Sequence, residues 1–387
     1  GHPMPDASPA KWHLAHTTWF FETFVLREHL EGYEPFDARY HFLFNSYYEA
    51  EGPRLARNSR GLLTRPCLST ILEYRRHVSS AVLANFDSWP MGALGTLALG
   101  CHHEEQHQEL LQTDMLYLLG SNPLLPAWWL RNGPAIDAGR PPAELAWIPG
   151  VQGSVRIGHA GEGAFDCEGP AHTVWLSPHA LPTPLGPNAE WGLFLASGGY
   201  RNGEHWLSDG WSWVRQNGIE APLYWKPDAK GDWTQEFGPC GLVPLADDAP
   251  VRNVSYYEAD AFARWREARL PTEAEWEAAT AGLDPHEGNY LDVAGPVSPK
   301  ASSSSPRLQQ MFGELWQWTA SAFLPYPGFR PAAGAIGEYN GKFMSGQFVL
   351  RGGSCATPRG HVRATYRNFF YPHQRWQFTG VRLARDL

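Results

Sequence analysis

The chain has 387 residues, 43% of them hydrophobic and 18% charged, with a formal net charge of −9. This composition suits a folded chain of two domains and leaves no case for disorder. An acidic balance without any Lys/Arg run argues against a nucleic-acid partner, and no apolar run reaches the ~18 residues that a bilayer span requires.

The first residues, GHPMPDASP, lack the charged start and apolar middle of a signal peptide and read as a trimmed terminus. From there, residues 8–120 read as helical. Ser8-Pro9 opens a helix, with proline at a tolerated early position. AKWHLAHTTWFFETFVLREHL follows, apolar and aromatic at helical spacing. Residues 69–86 and 93–119 predict two further amphipathic helices, and the Tyr-, Asn-, Gly- and Arg-rich stretch between the first and second mixes short helix with loop. The expectation for 1–120 is a bundle of about four helices. A proline-rich linker, 121–143, carries the Trp128-Trp129 pair and is expected to strap across a neighbouring surface.

From residue 144 the texture changes to glycine, tryptophan and short β-like runs (VRIGH, HTVWL, FVLRGGS, GVRLA), with one clear helix, YYEADAFARWREA. Long irregular connections of this kind often carry function. ASSSSP at 301–306 reads as an exposed loop. The five cysteines, Cys67, Cys101, Cys167, Cys240 and Cys355, are widely spaced without a CxxC, which favours a reducing cytoplasm and packing roles.

The densest chemistry lies in CHHEEQHQE, residues 101–109. HEEQH matches the HExxH of zinc proteases, and EEQH matches the Glu-x-x-His of di-iron bundles. Each match lacks its partner: QELLQTDMLYLLG after His107 offers no downstream zinc ligand of the extended pattern, and no second Glu-x-x-His exists. On a helix, His103 and His107 sit at i and i+4 and stack on one face. The third ligand is sought upstream in WHLAHTTWFF, where His16 shares a face with Trp12, Trp19 and Phe20. A histidine there is costly to bury unless its nitrogens are bonded. His13 lies about a turn away and reads as a supporting residue. A three-histidine site with open positions suits non-haem iron or zinc, and spacing alone does not choose between them.

SPAKWHLAHTTWFFETFVL, FNSYYEA, RGLLTRP and HHEEQHQELLQTD together resemble the DinB-like helical domain of ergothioneine sulfoxide synthases. NVSYYEADAFARWREARLPTEAEWE, GELWQWT, VLRGGSCATPRGHVRATYRNFF and FTGVRLAR resemble the fold of the formylglycine-generating enzyme, and the two sets cover nearly the whole chain in order. The resemblance implies a DinB-like four-helix bundle at 1–120 and, at 144–387, a C-type-lectin-related domain with little regular secondary structure. It also implies iron(II) and O2, with His16, His103 and His107 as ligands, joining a thiol or selenol to C2 of the imidazole of hercynine (trimethylhistidine). Gln106 would meet the hercynine imidazole and Asn368 its amino-acid end. Phe369 and Trp376 are candidates for the trimethylammonium group, which aromatic faces can hold although it donates no hydrogen bond. Tyr47 and Tyr48 match active-site tyrosines of a subgroup, with one of the two expected to be catalytic.

Two departures bear on the donor. Phe370 stands where relatives that use γ-glutamylcysteine carry an acidic residue, so a smaller or differently shaped donor is expected, such as cysteine. GELWQWT and VRNVSYY differ from the forms associated with many sulfur enzymes, and the selenosugar-using selenoneine branch stays equally open. Arg54, Arg57 and Arg60 are candidates for the donor carboxylate, Arg57 foremost. Formylglycine generation is disfavoured because Cys355 stands alone. The competing readings are an HExxH zinc hydrolase and a non-catalytic metal-binding module.

Overall fold

The computed structural model describes residues 1–130, 136, 138–161, 163–331, 337 and 339–387. Part of the proline-rich stretch, 131–135 and 137, therefore lies outside the described residues. The chain divides into two compact units. The first comprises Gly1–Ser121 with Gly337 and Tyr339; the second comprises the described residues of 122–331 and Asn340–Leu387.

The first unit is helical. Helix α1, Ala10–Phe21, begins after Pro9, whose extended backbone lets the chain enter the helix. It runs on through a π-helical turn, Glu22–Leu26, into the short α2, Arg27–His29. The π turn buries Glu22, whose carboxylate accepts hydrogen bonds from the Tyr33 and Tyr74 hydroxyls and the Phe36 N–H. Helix α3 covers Tyr40–Phe44 and α4 covers Leu68–Ala84, burying Ile71, Tyr74 and Val78 at helical spacing. Helix α5, Met91–Gly120, is 30 residues long. Its Gly100 faces α1: a Cβ there would lie 2.6 Å from the Phe21 ring and 3.2 Å from that of Phe20. Glycine at this position lets the two helices approach one turn before His103.

The second unit is a mixed assembly of short strands and helices around a tryptophan-rich core. Strands β1, Trp147–Pro149, and β4, His179–Pro182, pair antiparallel, and β12, Arg385–Asp386, adds to the other edge of β4. β2, Gly153–Ile157, and β3, His172–Leu176, form a hairpin-like pair. β5, Trp225–Pro227, β6, Trp233–Gly238, and β7, Gly241–Pro244, form an antiparallel meander. The central sheet has the order β10, Asn368–Phe370; β9, Phe348–Arg351; β8, Trp316–Ala322; and β11, Thr379–Gly380, with β11 parallel to β8.

Four helices pack around these strands: α6, Asn188–Ala196; α7, Ser208–Asn217; α8, Tyr256–Trp265; and α9, Glu273–Ala279. The sequence reading expected only α8, and this is corrected here. α6 and α7 interleave Trp and Gly with polar residues, so tertiary packing on Trp191, Phe194 and Val214 rather than a clear stripe defines them. α8 and α9 each start with a capping box, Ser255 with Glu258 and Thr272 with Glu275. Of the β-like runs, HTVWL and FVLR form strands, while GVRLA does not: Val381–Ala384 lies between β11 and β12. Among the described residues, no helix is long and apolar enough to cross a membrane, and all five cysteines are free thiols.

Candidate metal centre

Helices α1 and α5 bring three imidazoles together. One ligand nitrogen from each of His16, His103 and His107 lies within 4.8 Å of the others. His16 is fully buried between two indoles, its ring 4.5 Å from Trp12 and 5.7 Å from Trp19, both nearly parallel to it. Its Nδ1–H donates to the Phe44 carbonyl at 2.6 Å. A carbonyl only accepts, so the proton is on Nδ1 and the lone pair is on Nε2. That Nε2 has no hydrogen-bond partner among the described residues, and neither nitrogen of buried His103 has one. An unsatisfied buried polar group costs about 1–3 kcal/mol, so such a cluster is poor packing and good ligation.

The electrostatics agree. Burial, reinforced by the His103 charge, holds the His16 pKa well below its ordinary value. Burial, with His13 next, takes His103 down to about 3, and burial together with His103 and His16 holds half-buried His107 well below normal. All three rings are therefore neutral at pH 7, the form that ligates a metal. The residues fit a transition-metal ion bound by imidazole.

The surroundings come from several elements. His13 Nδ1 lies 2.9 Å from His107 Nδ1, and His13 Nε2 lies 2.9 Å from Asp114 Oδ2. Glu104, the residue an HExxH hydrolase would use as base, is held by Arg75 at 2.6 Å. Gln106 accepts a hydrogen bond from the Tyr339 hydroxyl. The Tyr339 ring lies 6.0 Å from that of His103 and 6.3 Å from that of Tyr47. Tyr339 is a residue the sequence reading missed. Its only local signal is a tyrosine next to the Asn340-Gly341 turn pair in EYNGKF.

The other expected residues are distributed unevenly. Tyr48 is fully buried, packed on Trp19 at 5.6 Å and Phe24 at 5.0 Å, and half-buried Tyr47 stacks on it at 4.6 Å. Arg57 is exposed, whereas Arg60 is buried with its guanidinium 3.4 Å above the Trp12 ring. Arg60 donates to Ser8 Oγ and Ser46 Oγ, both at 2.9 Å, and has no carboxylate partner among the described residues. Burial, and then the neighbouring Arg57 charge, lowers its pKa to about 8. In the second unit Asn368, Phe369 and Phe370 form β10, at the edge of the central sheet. Phe369 stacks on buried Phe323 at 4.1 Å with Phe343 at 5.9 Å, and Phe370 meets nearly buried Trp376 edge-on at 6.2 Å.

Comparison with known proteins decides the family. The chain is 34% identical to a hercynine oxygenase of Mycolicibacterium thermoresistibile, over 99% of this chain and 88% of that one. It is 33% identical to a hercynine oxygenase of Mycolicibacterium smegmatis, over 99% and 92% respectively. This chain belongs to the hercynine oxygenase (ergothioneine sulfoxide synthase) family. Residues 137–305 and 287–387 of this family member also match the sulfatase-modifying factor enzyme 1-like domain, which accounts for most of the second unit. Among solved structures, PvdO from Pseudomonas aeruginosa is similar at 19% identity with a TM-score of 0.41, over 63% of this chain and 95% of that one.

Proposed function

We propose that this chain is an iron(II)- and O2-dependent enzyme that couples a small thiol or selenol donor to C2 of the hercynine imidazole. The observation that carries the reading is the set of three neutral imidazoles converging within 4.8 Å, two of them buried with unsatisfied nitrogens among the described residues. The substrate class is drawn from the hercynine oxygenases to which the chain is similar along 99% of its length. The DinB-like assignment of the helical unit rests on the motif resemblance and belongs to this proposal.

His16, His103 and His107 would hold the iron, which supplies O2 activation and a template for two substrates. For a thiol the balance is RSH + ImH + O2 → RS(O)Im + H2O: a C–S bond forms, one oxygen goes to sulfur and the other leaves as water. The Tyr339 hydroxyl, by donating to the Gln106 oxygen, orients that amide so its NH2 can donate to an imidazole nitrogen. Tyr339, with its ring beside His103, is the phenol we assign as proton donor, with Tyr47 behind it. Tyr48, enclosed by Trp19 and Phe24, serves packing. Arg60 suits a donor carboxylate better than exposed Arg57, because it is a buried guanidinium with no salt-bridged carboxylate among the described residues. By resemblance, Asn368 is the residue for the amino-acid end of hercynine and Phe369 and Trp376 are those for its trimethylammonium; within the second unit, one face of Phe369 is covered by Phe323. The apolar Phe370 favours a donor without a γ-glutamyl amine.

The test is anaerobic loading with Fe(II), hercynine and either cysteine or a selenosugar, followed by O2 and mass spectrometry. A coupled product containing the hercynine mass with one donor is expected. Absence of any such product with every donor, from protein that retains iron, would overturn the reading.

A further inference from the structure

His16 backs onto a peptide carbonyl and His103 onto no hydrogen-bond partner among the described residues, but His107 backs onto a chain that ends in a carboxylate. Asp114 Oδ2 accepts from the Ser8 N–H at 2.8 Å and lies 2.9 Å from His13 Nε2. His13 Nδ1 in turn lies 2.9 Å from His107 Nδ1. His13, Asp114 and Ser8 are all nearly inaccessible to water. The spacing is helical on both sides: His13 and His16 are three apart on α1, and His107 and Asp114 are seven apart on α5, two turns along one face.

The donor and acceptor roles follow from elimination. A carboxylate only accepts, so His13 Nε2 carries the hydrogen, and with His13 as the neutral imidazole its Nδ1 keeps the lone pair. Two lone pairs cannot face each other at 2.9 Å, so the hydrogen between the rings sits on His107 Nδ1. His107 therefore offers Nε2, the same atom that His16 is left to offer.

We propose that His13 and Asp114 form a positioning relay behind His107, fixing its tautomer and passing carboxylate charge to that one ligand. Of the three imidazoles, one backed by a peptide carbonyl and one by no described partner, the relay makes His107 the most electron-rich, so the centre is electronically lopsided by construction. The inference rests on the metal reading above and deepens it. Partners that hold a ligating histidine in this way typically contribute 10–100-fold to metal affinity.

The test uses the full chain with Co(II) as the probe metal, reading its affinity by competition and the hyperfine-shifted N–H protons by NMR. Wild type should show a His107 N–H protected from exchange with solvent. His13→Phe should lose that signal and bind Co(II) about 10–100-fold more weakly. Asp114→Asn, which keeps shape and acceptor but removes charge, should keep the signal and lose part of the affinity. His13→Gln, whose amide oxygen can accept from His107, should restore the signal without restoring full affinity. Wild-type affinity and an unchanged N–H signal in His13→Phe would overturn the relay. Should that variant fail to fold, wild-type affinity in Asp114→Asn overturns it equally. Failure of the metal reading looks different: wild type would then bind Co(II) no better than His103→Ala does.

Discussion

The two units differ in how they satisfy their buried cations and imidazoles. In the second unit, Arg351, Arg367 and Arg252 meet carboxylates, and fully buried Arg382 is held by Gln317 and peptide carbonyls. Fully buried Arg351 donates to Glu273 and Glu277 at 3.0 Å each, Arg367 grips the same Glu273 at 2.9 and 3.0 Å, and Arg252 meets Glu236 at 2.9 Å. In the first unit, buried His16 and His103 leave nitrogens without partners, and buried Arg60 has no carboxylate among the described residues. Unpartnered buried atoms such as His179 Nε2 also occur among the described residues of the second unit. What marks the first as a site for a ligand is that its unpaired nitrogens converge with those of a third imidazole, whereas a completed ion network marks architecture.

The largest effect should come from removing an unpaired group that ligates. His103→Leu should abolish stoichiometric metal binding, more than the roughly 10–100-fold that loss of a supporting contact costs. The metal-free variant should nevertheless match wild type or gain about 1 kcal/mol, because an unsatisfied buried imidazole is replaced by carbon. Titration with Co(II) and thermal melts read both. In the second unit the sign reverses: Arg351→Met should cost about 3–5 kcal/mol in urea denaturation, because it strips nearly buried Glu277 of its cation and leaves Glu273 to Arg367 alone.

Tyr339→Phe should retain iron yet slow coupling by about a hundredfold, the low end of what a positioned proton donor contributes. Mass spectrometry of coupled product against oxidised donor checks this, and an unchanged ratio and rate would return the role to Tyr47.

Acid should separate the units. The His103 pKa falls from 6.5 to about 3 on folding, so the unfolded chain binds protons that the folded one refuses. The contribution of His103 to the stability of the metal-free first unit is then fully present above pH 6.5 and is lost as pH falls towards 3. Burial alone would raise Glu273, but Arg351 and Arg367 hold it below its ordinary 4.5, so the second unit should begin to weaken only below about that pH. Hydrogen exchange resolved by peptide should show the first unit opening first between pH 6.5 and 5. The smallest change is expected for Glu104→Gln, which loosens the partly exposed Arg75 pair, worth about 1 kcal/mol or less, and leaves metal content unchanged.

Much of the centre was legible in the sequence because helical spacing is local. His103 and His107 declare a shared face at i and i+4, and the aromatic neighbours of His16 declare that it is buried. The capping boxes at Ser255 and Thr272 are equally local signals, but the sequence reading used neither and so missed α9. What was not legible depends on approach between distant segments. Tyr339 meets Gln106 across 233 positions of chain, and no periodicity encodes that meeting. Among Arg54, Arg57 and Arg60, only tertiary packing shows that Arg60 is the one that turns inward onto Trp12. Helices α6 and α7 escaped because their glycines and tryptophans blur the apolar stripe.

The central claim is that His16, His103 and His107 jointly hold a metal while Glu104 does not. Crystals grown with Fe(II) under anaerobic conditions and measured at the iron absorption edge test it directly. The account predicts one anomalous peak bonded to a nitrogen of each of the three imidazoles, with Glu104 still on Arg75. A peak that omits His16, or that is ligated by Glu104, would contradict it.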